Sequence, residues 1–203
     1  MPSALAVPAA SAATAAASAG LSIPPPPGVS ISVATSPRSD CEGASLALAS
    51  PVTGFTVGYS KYRAQAGGGS DPGDSLRKCQ MLLDVHVPQG YTFAVDRVDY
   101  RGFAVVAAGA TGRLRGRAFF QGTIQRPPVT HEVRGPSSDD WSFKDETPPD
   151  RLVFKPCGEH RALLLETELE VDPGTSDPSV TSLMAQDSGT GRTYYSLFWK
   201  TCP

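Results

Sequence analysis

The sequence predicts an all-β fold: an antiparallel β-sandwich with Greek-key or jelly-roll-like connections, cross-linked by disulfides. Apolar and polar residues alternate over short stretches, most cleanly in 78–87, where Cys79, Met81, Leu83, Val85 and Val87 share one face and Gln80, Asp84 and His86 the other. Twenty glycines and nineteen prolines punctuate the chain between such stretches, as tight turns require. No segment carries the periodicity of an amphipathic helix. With 203 residues, the chain suits one domain plus an additional segment.

That segment comes first. Residues 1–37 contain no charged side chain, whereas every Lys, Arg, Asp and Glu lies from Arg38 onward. The division is between an uncharged, Ala/Ser/Pro-rich signal-like or linker segment, 1–37, and a single sandwich domain, 38–203. The Ala-rich run resembles the apolar part of a secretory signal and offers Ala-x-Ala sites, although no basic residues precede it. Pro24 to Pro27 reads as a polyproline II spacer. No apolar run approaches the roughly 20 residues of a membrane-spanning helix.

Strands are then expected over 29–33, 45–49, 55–62, 78–87, 91–100, 103–107, 112–121, 129–133, 151–154, 161–171, 181–187 and 193–201. In the 91–100 stretch, Phe93 and Val95 have one parity and Val98 and Tyr100 the other, which places a β-bulge near Asp96 and Arg97. Ser188 to Gly191 reads as a four-residue hairpin loop between the last two strands.

Cys41, Cys79, Cys157 and Cys202 are separated by 38, 78 and 45 positions, so no C-x-x-C pair exists for a zinc knuckle or a redox motif. An even number of widely spaced cysteines points to two disulfides in an oxidising compartment. Three pairings are open. Cys41 with Cys79 and Cys157 with Cys202 is preferred, because each joins neighbouring stretches of chain and the second pins the C-terminus.

Eighteen basic against twenty acidic residues give a net charge of −2, which excludes a whole-chain cationic field for nucleic acid. Two strands carry opposite charges at every second position: Arg113, Arg115 and Arg117, and Glu166, Glu168 and Glu170. The arginines are candidates to hold an anionic ligand, such as a sulfated or uronic polysaccharide. The preferred reading pairs the two rows across neighbouring strands. No G-x-S-x-G elbow is present, and the three histidines, His86, His131 and His160, have no metal-ligand spacing, so neither a catalytic residue nor a metal site is assigned. The segment 135–145, GPSSDDWSFKD, sets Asp139 and Asp140 beside Trp141 in a turn-rich context, a candidate ligand-binding group with an indole for a sugar ring and carboxylates compatible with calcium. The competing and preferred reading is an Asx-type turn followed by a core tryptophan. Asparagine is absent, and with it any N-glycosylation acceptor.

The block VHVPQGYTFAVDRVDYRGFA at 85–104, followed in order by AAGATG, FFQG, GPSSDDW, PCGE, TELEV, SDPS and WKTCP, resembles the secreted family catalogued as domain of unknown function 4360. The resemblance covers about 41–203. It implies a small exported all-β protein of fungi and bacteria without an established activity. It also implies that the four cysteines occupy the family's cysteine positions, and that Asp139, Asp140 and Trp141 form its acidic-aromatic turn.

The expected function is a secreted, non-catalytic binding or structural module, with cell-surface or matrix polysaccharide as the ligand class and Tyr91, Tyr194 and Tyr195 extending a stacking surface. The alternative is a glycan-active hydrolase or lyase using Asp139 or Asp140. A third reading is a coat protein or one with a protein partner.

Overall fold

A computed structural model describes residues 21–35, 39–40, 43–186, 189 and 191–203. Among them, twelve strands form two antiparallel sheets: β1 (Ser30–Thr35), β2 (Ser45–Leu48), β3 (Gly54–Gly58), β4 (Arg63–Ala66), β5 (Leu76–His86), β6 (Tyr91–Val106), β7 (Thr111–Phe120), β8 (Val129–Arg134), β9 (Ser137–Glu146), β10 (Leu163–Asp172), β11 (Ser182–Ala185) and β12 (Arg192–Thr201). The five-stranded sheet has the order β1-β5-β10-β7-β8. The other sheet is built on β6. On one edge β6 pairs with β12 through residues 91–101 and with β11 through 103–105, and on the other with β9 through 97–106. β3 flanks β12, β4 flanks β11, and β2 flanks β3.

β3 with β4, and β11 with β12, therefore act as two long strands, each broken at the same level. With that simplification, one sheet reads β3/β4, β11/β12, β6, β9 and the other β5, β10, β7, β8. This is the jelly-roll arrangement of a β-sandwich, with β1 and β2 added beside β5 and β3.

Alternation decides what faces inward. β5 contributes Cys79, Met81, Leu83 and Val85; β10 contributes Leu163, Leu165, Thr167, Leu169 and Val171. From the other sheet come Phe55, Phe93, Tyr100, Tyr195 and Trp199, all at most 1% exposed. Phe93 sits edge-on to Phe120 at 5.2 Å and tilted to Trp199 at 5.3 Å, an aromatic junction between the sheets. The bulge falls where the parity slip placed it: Val95 opposes Leu197 and Arg97 opposes Ser196, which leaves Asp96 as the extra residue.

Several elements differ from the sequence reading. The stretch 103–107 is the continuation of β6. The stretch 151–154 is not a strand; Arg151 ends a short 3₁₀ turn, Pro149–Arg151, which the fixed backbone angle of Pro149 at its first position favours. β4 and β9 were not anticipated. The last two strands do not pair as a hairpin; both lie along the same edge of β6. In the loop between them, Asp187, Ser188 and Thr190 lie outside the described residues.

The compositional boundary at Arg38 is not where the fold begins. β1 pairs with β5, the Ile23 N–H donates to the Trp199 carbonyl at 3.0 Å, and the Trp199 N–H donates to Ser22 Oγ at 3.1 Å. Pro26, within the proline tract, is buried.

Cys157 and Cys202 form the expected disulfide across 45 positions. Cys79 is buried and disulfide-bonded; its expected partner Cys41 lies outside the described residues.

Polar links also lie in the interior, one of them between the sheets. Tyr62 Oη donates to Thr167 Oγ1 on the facing sheet at 3.1 Å, Tyr59 Oη and Thr193 Oγ1 share a hydrogen at 3.1 Å, and Gln186 Nε2 donates to Thr193 Oγ1 at 3.2 Å. Tyr59 is half-exposed as a residue but has an enclosed hydroxyl, and burial pushes its phenol up to about 12. Burial likewise holds Tyr62, Tyr100 and Tyr195 well above 10.

Raised phenol values mean that the folded chain holds more protons than the unfolded chain above pH 10, so stability is full below pH 10 and falls as pH rises further. A spectrophotometric alkaline titration is expected to show Tyr59, Tyr62, Tyr100 and Tyr195 ionising late and together with loss of the fold. Four independent ionisations near pH 10 in a folded protein would contradict it. Replacing Cys157 and Cys202 by serine is expected to cost about 2–5 kcal/mol in urea unfolding.

Candidate functional site

The outer face of the five-stranded sheet carries both charge rows, and register sets them directly opposite: Arg113 to Glu170, Arg115 to Glu168, Arg117 to Glu166. Arg115 pairs with Glu168, and with Glu170 at 2.7 Å; Arg117 reaches Glu166 at 2.5 Å; Arg113 reaches Glu132 at 3.0 Å and Asp172 at 3.2 Å. Lys78 and Gln80 on β5 complete the lattice, at 3.2 Å from Glu168 and 2.7 Å from Glu166. Each arginine already has a carboxylate, so an anionic ligand on this face would have to displace one. The pairs are partly solvated and contribute a few tenths of a kcal/mol each, on the order of an exposed pair.

Asp139, Asp140 and Trp141 lie on a regular strand rather than in a turn. SSDD reads as turn chemistry, but β6 offers a ladder partner along the whole of 97–106, and the segment takes it. Strand alternation then separates the three side chains. Trp141 points inward at 7% exposure, opposite Gly102, whereas Asp140 points outward, opposite Phe103. Asp139 Oδ1 accepts the Asp140 N–H at 2.8 Å. The indole is not available beside the carboxylates; it is a core residue.

Trp141 begins an aromatic column that closes one edge of the sandwich. It stacks on Phe143 at 5.2 Å, and Phe143 stacks on His131 of β8 at 4.6 Å with the rings 6° from parallel. His131 Nε2 bonds Asp145 Oδ1 at 2.8 Å, tying β8 to β9 between the two sheets. His160 lies 3.0 Å from Asp84 at the surface. Among the described residues, no group of three or more His, Cys, Asp or Glu side chains is placed to hold a metal ion.

The outer face of the β6 sheet presents a different surface. Thr56, Asp99, Arg101, Arg192 and Tyr194 surround a shallow recess of about 340 Å³. Tyr194 is half-buried, and its phenol end lies over Gly54 of β3: a Cβ at Gly54 would collide with the Tyr194 hydroxyl and the Tyr195 carbonyl. The Arg97 guanidinium sits 5.8 Å from the Tyr194 ring centroid and bonds Asp99 Oδ2 at 2.9 Å. Arg101 and Arg192 are directly opposed across β6 and β12, and both are exposed.

Of the three tyrosines named from the sequence, only Tyr194 lines this recess; Tyr195 is 1% exposed in the core. The sequence reading missed Arg101 and Arg192. The signal for Arg101 was parity after the bulge, since Arg97, Asp99 and Arg101 share the outward side of β6.

The fold and its disulfide define an all-β module of the kind suited to an oxidising compartment. The chain belongs to the family described as domain of unknown function (DUF4360), whose model matches residues 28–202. An uncharacterized secreted protein of Arthroderma benhamiae is 26% identical over 134 residues, 66% of this chain and 54% of that protein, so the chain spans about half the length of that relative. Among solved structures, TmCBM61 in complex with β-1,4-galactotriose is similar at 12% identity and a TM-score of 0.30, over 87% of this chain and 90% of the other. The enzymatically active domain of bacteriophage CBA120 tailspike protein 4 is similar at 10% identity and a TM-score of 0.22, over 86% and 19%. At such TM-scores neither likeness says what this chain binds.

The packing of Trp141 on Gly102 yields a direct test. A Cβ at position 102 would run into both the Ala185 carbonyl oxygen and the indole. Gly102→Ala is expected to cost about 1–3 kcal/mol in urea unfolding, as overpacking does; an unchanged midpoint would show that β9 can shift away without loss.

Proposed function

We propose that the protein is a non-catalytic polysaccharide-binding module whose contact surface is the outer face of the β6 sheet. The observation that carries this reading is the recess around Tyr194: a partly exposed aromatic ring, with guanidinium donors, the Asp99 carboxylate and the Thr56 hydroxyl at its margins. A sugar ring needs that combination, an apolar surface for its C–H face and donors and acceptors for its hydroxyls. The site lies on paired strands, so little ordering entropy is lost on binding. Asp139 and Asp140, the carboxylates of the hydrolytic alternative, leave β9 on opposite faces and do not converge on one bond as an acid and base pair must.

The test incubates the oxidised protein with insoluble polysaccharides and follows protein depletion and released sugar in the same tubes. Depletion without sugar release is expected, with Tyr194→Ala losing at least about tenfold in affinity at an unchanged melting temperature, the scale of one lost aromatic anchor. Sugar release would overturn the non-catalytic reading, and full retention of binding by Tyr194→Ala would move the site elsewhere.

A further inference from the structure

Among the described residues, Arg101 and Arg192 are the like charges set directly opposite each other across a strand pair. The β6–β12 register places them face to face on the outer surface, where two cations side by side repel and weaken the sheet. A fold that retains such a pair ordinarily supplies a counter-charge, as the facing sheet does for Arg113, Arg115 and Arg117. Among the described residues neither guanidinium is in an ion pair; the outward carboxylate of Asp140 stands only diagonally from Arg101, whose direct partner on β9 is Ser142. Asp99 is engaged by Arg97 at 2.9 Å, and Glu146, farther along β9, is paired with Lys144. The recess is thus lined by two guanidinium groups, Arg101 and Arg192, and by the carboxylate of Asp99, which Arg97 beside it already engages, in a chain whose net charge is −2.

We infer that the polysaccharide bound on this face is acidic, with a uronate carboxylate lying between the Arg101 and Arg192 guanidinium groups and its sugar ring beside Tyr194. This rests on the binding-module reading and adds the ligand's charge to it. A carboxylate has two oxygens, each able to accept a charge-assisted hydrogen bond from one of the two guanidinium groups. The same anion relieves the repulsion between the two strands, so binding and sheet stability act together. The recess is shallow and lies on an open face, so it can take one sugar unit and leave the rest of a polymer outside, along that face.

The experiment measures binding of the oxidised protein by affinity electrophoresis and titration calorimetry against polygalacturonate, its methyl-esterified form, neutral galactan and dextran sulfate. Polygalacturonate is expected to bind, and esterification, which removes the charge but keeps the ring, to weaken binding at least about tenfold. Arg101→Ala and Arg192→Ala are each expected to lose about tenfold or more while the melting temperature stays level or rises, since a repulsion is removed. Arg134→Ala, exposed on β8 and away from the recess, serves as the control for net charge and is expected to stay within about twofold, as a distant exposed charge should.

Equal binding of the esterified and free polymers, with Tyr194→Ala abolishing both, would overturn the acidic assignment and leave the binding module standing. Dextran sulfate binding as tightly as polygalacturonate, with Arg134→Ala as damaging as Arg101→Ala, would reduce the effect to general polyanion attraction and overturn the assignment too. Absence of binding to all four polymers would overturn this inference, and depletion by an insoluble glycan in the earlier assay would decide separately whether the binding-module reading survives.

Discussion

β6 can serve one sheet along both its edges only because nothing projects from Gly102. At that level the chain of β11 leans in from one side, with the Ala185 carbonyl over the glycine, and the Trp141 indole arrives from β9 on the other. Any side chain would keep one of them away. With the glycine in place, Trp141 is buried, Phe143 and His131 stack in sequence behind it, and the His131–Asp145 hydrogen bond joins the last strand of one sheet to the last strand of the other. The Trp141 Nε1 is buried without an acceptor among the described residues, at a cost of about 1–3 kcal/mol. Burial of the indole in the aromatic column offsets that cost. The edge opposite β1 and β2 is thereby closed by side chains where no backbone ladder joins the sheets.

Once both edges are secured, the two outer faces are free to differ, and they do. On the five-stranded sheet, charges of opposite sign meet in register and cancel locally; the Arg–Glu lattice keeps the surface polar while leaving little unmatched charge. On the β6 sheet the register brings like charges together. Both outcomes follow from one rule, that a strand's outward residues meet the outward residues of its hydrogen-bonded neighbour. Charged rows of similar appearance in a sequence thus acquire opposite meanings according to which strand lies alongside.

That rule explains how much was legible beforehand. The all-β class, the alternation of β5, the bulge at Asp96, the disulfide Cys157–Cys202 and the pairing of the charge rows all follow from local pattern or from a short list of partners, and the structure has each of them. β9 was not legible because SSDD favours turns locally, and only the long free edge of β6 makes it a strand. The preferred reading of Trp141 as core holds, although the element carrying it is a strand and not a turn: alternation on β9 points the indole inward opposite Gly102. Arg101 and Arg192, 91 positions apart, are joined only by the pairing of β6 with β12, so no window along the chain contains both.

Placement on strands also shapes what such a site can do. The recess is lined by β3, β6 and β12, each held by ladder hydrogen bonds over the aromatic core of Phe55, Phe93 and Tyr195. Phe55 and Tyr195 stack at 5.0 Å directly beneath the strands that carry Thr56 and Tyr194. The backbone, fixed from below, loses little freedom when a ligand arrives, whereas the exposed Arg101 and Arg192 side chains have to be ordered, at a cost of about 0.5–1.5 kcal/mol each. Exposed guanidinium groups in turn act over about 8 Å at physiological salt, far enough to draw a polyanion toward the face before any hydrogen bond forms, but with a strength that falls as salt rises. For the polysaccharide proposed as ligand, a shallow, cationic surface favours a long flexible polymer over a small free sugar, because successive segments of one chain can occupy the same face and the loss of one contact does not release the whole.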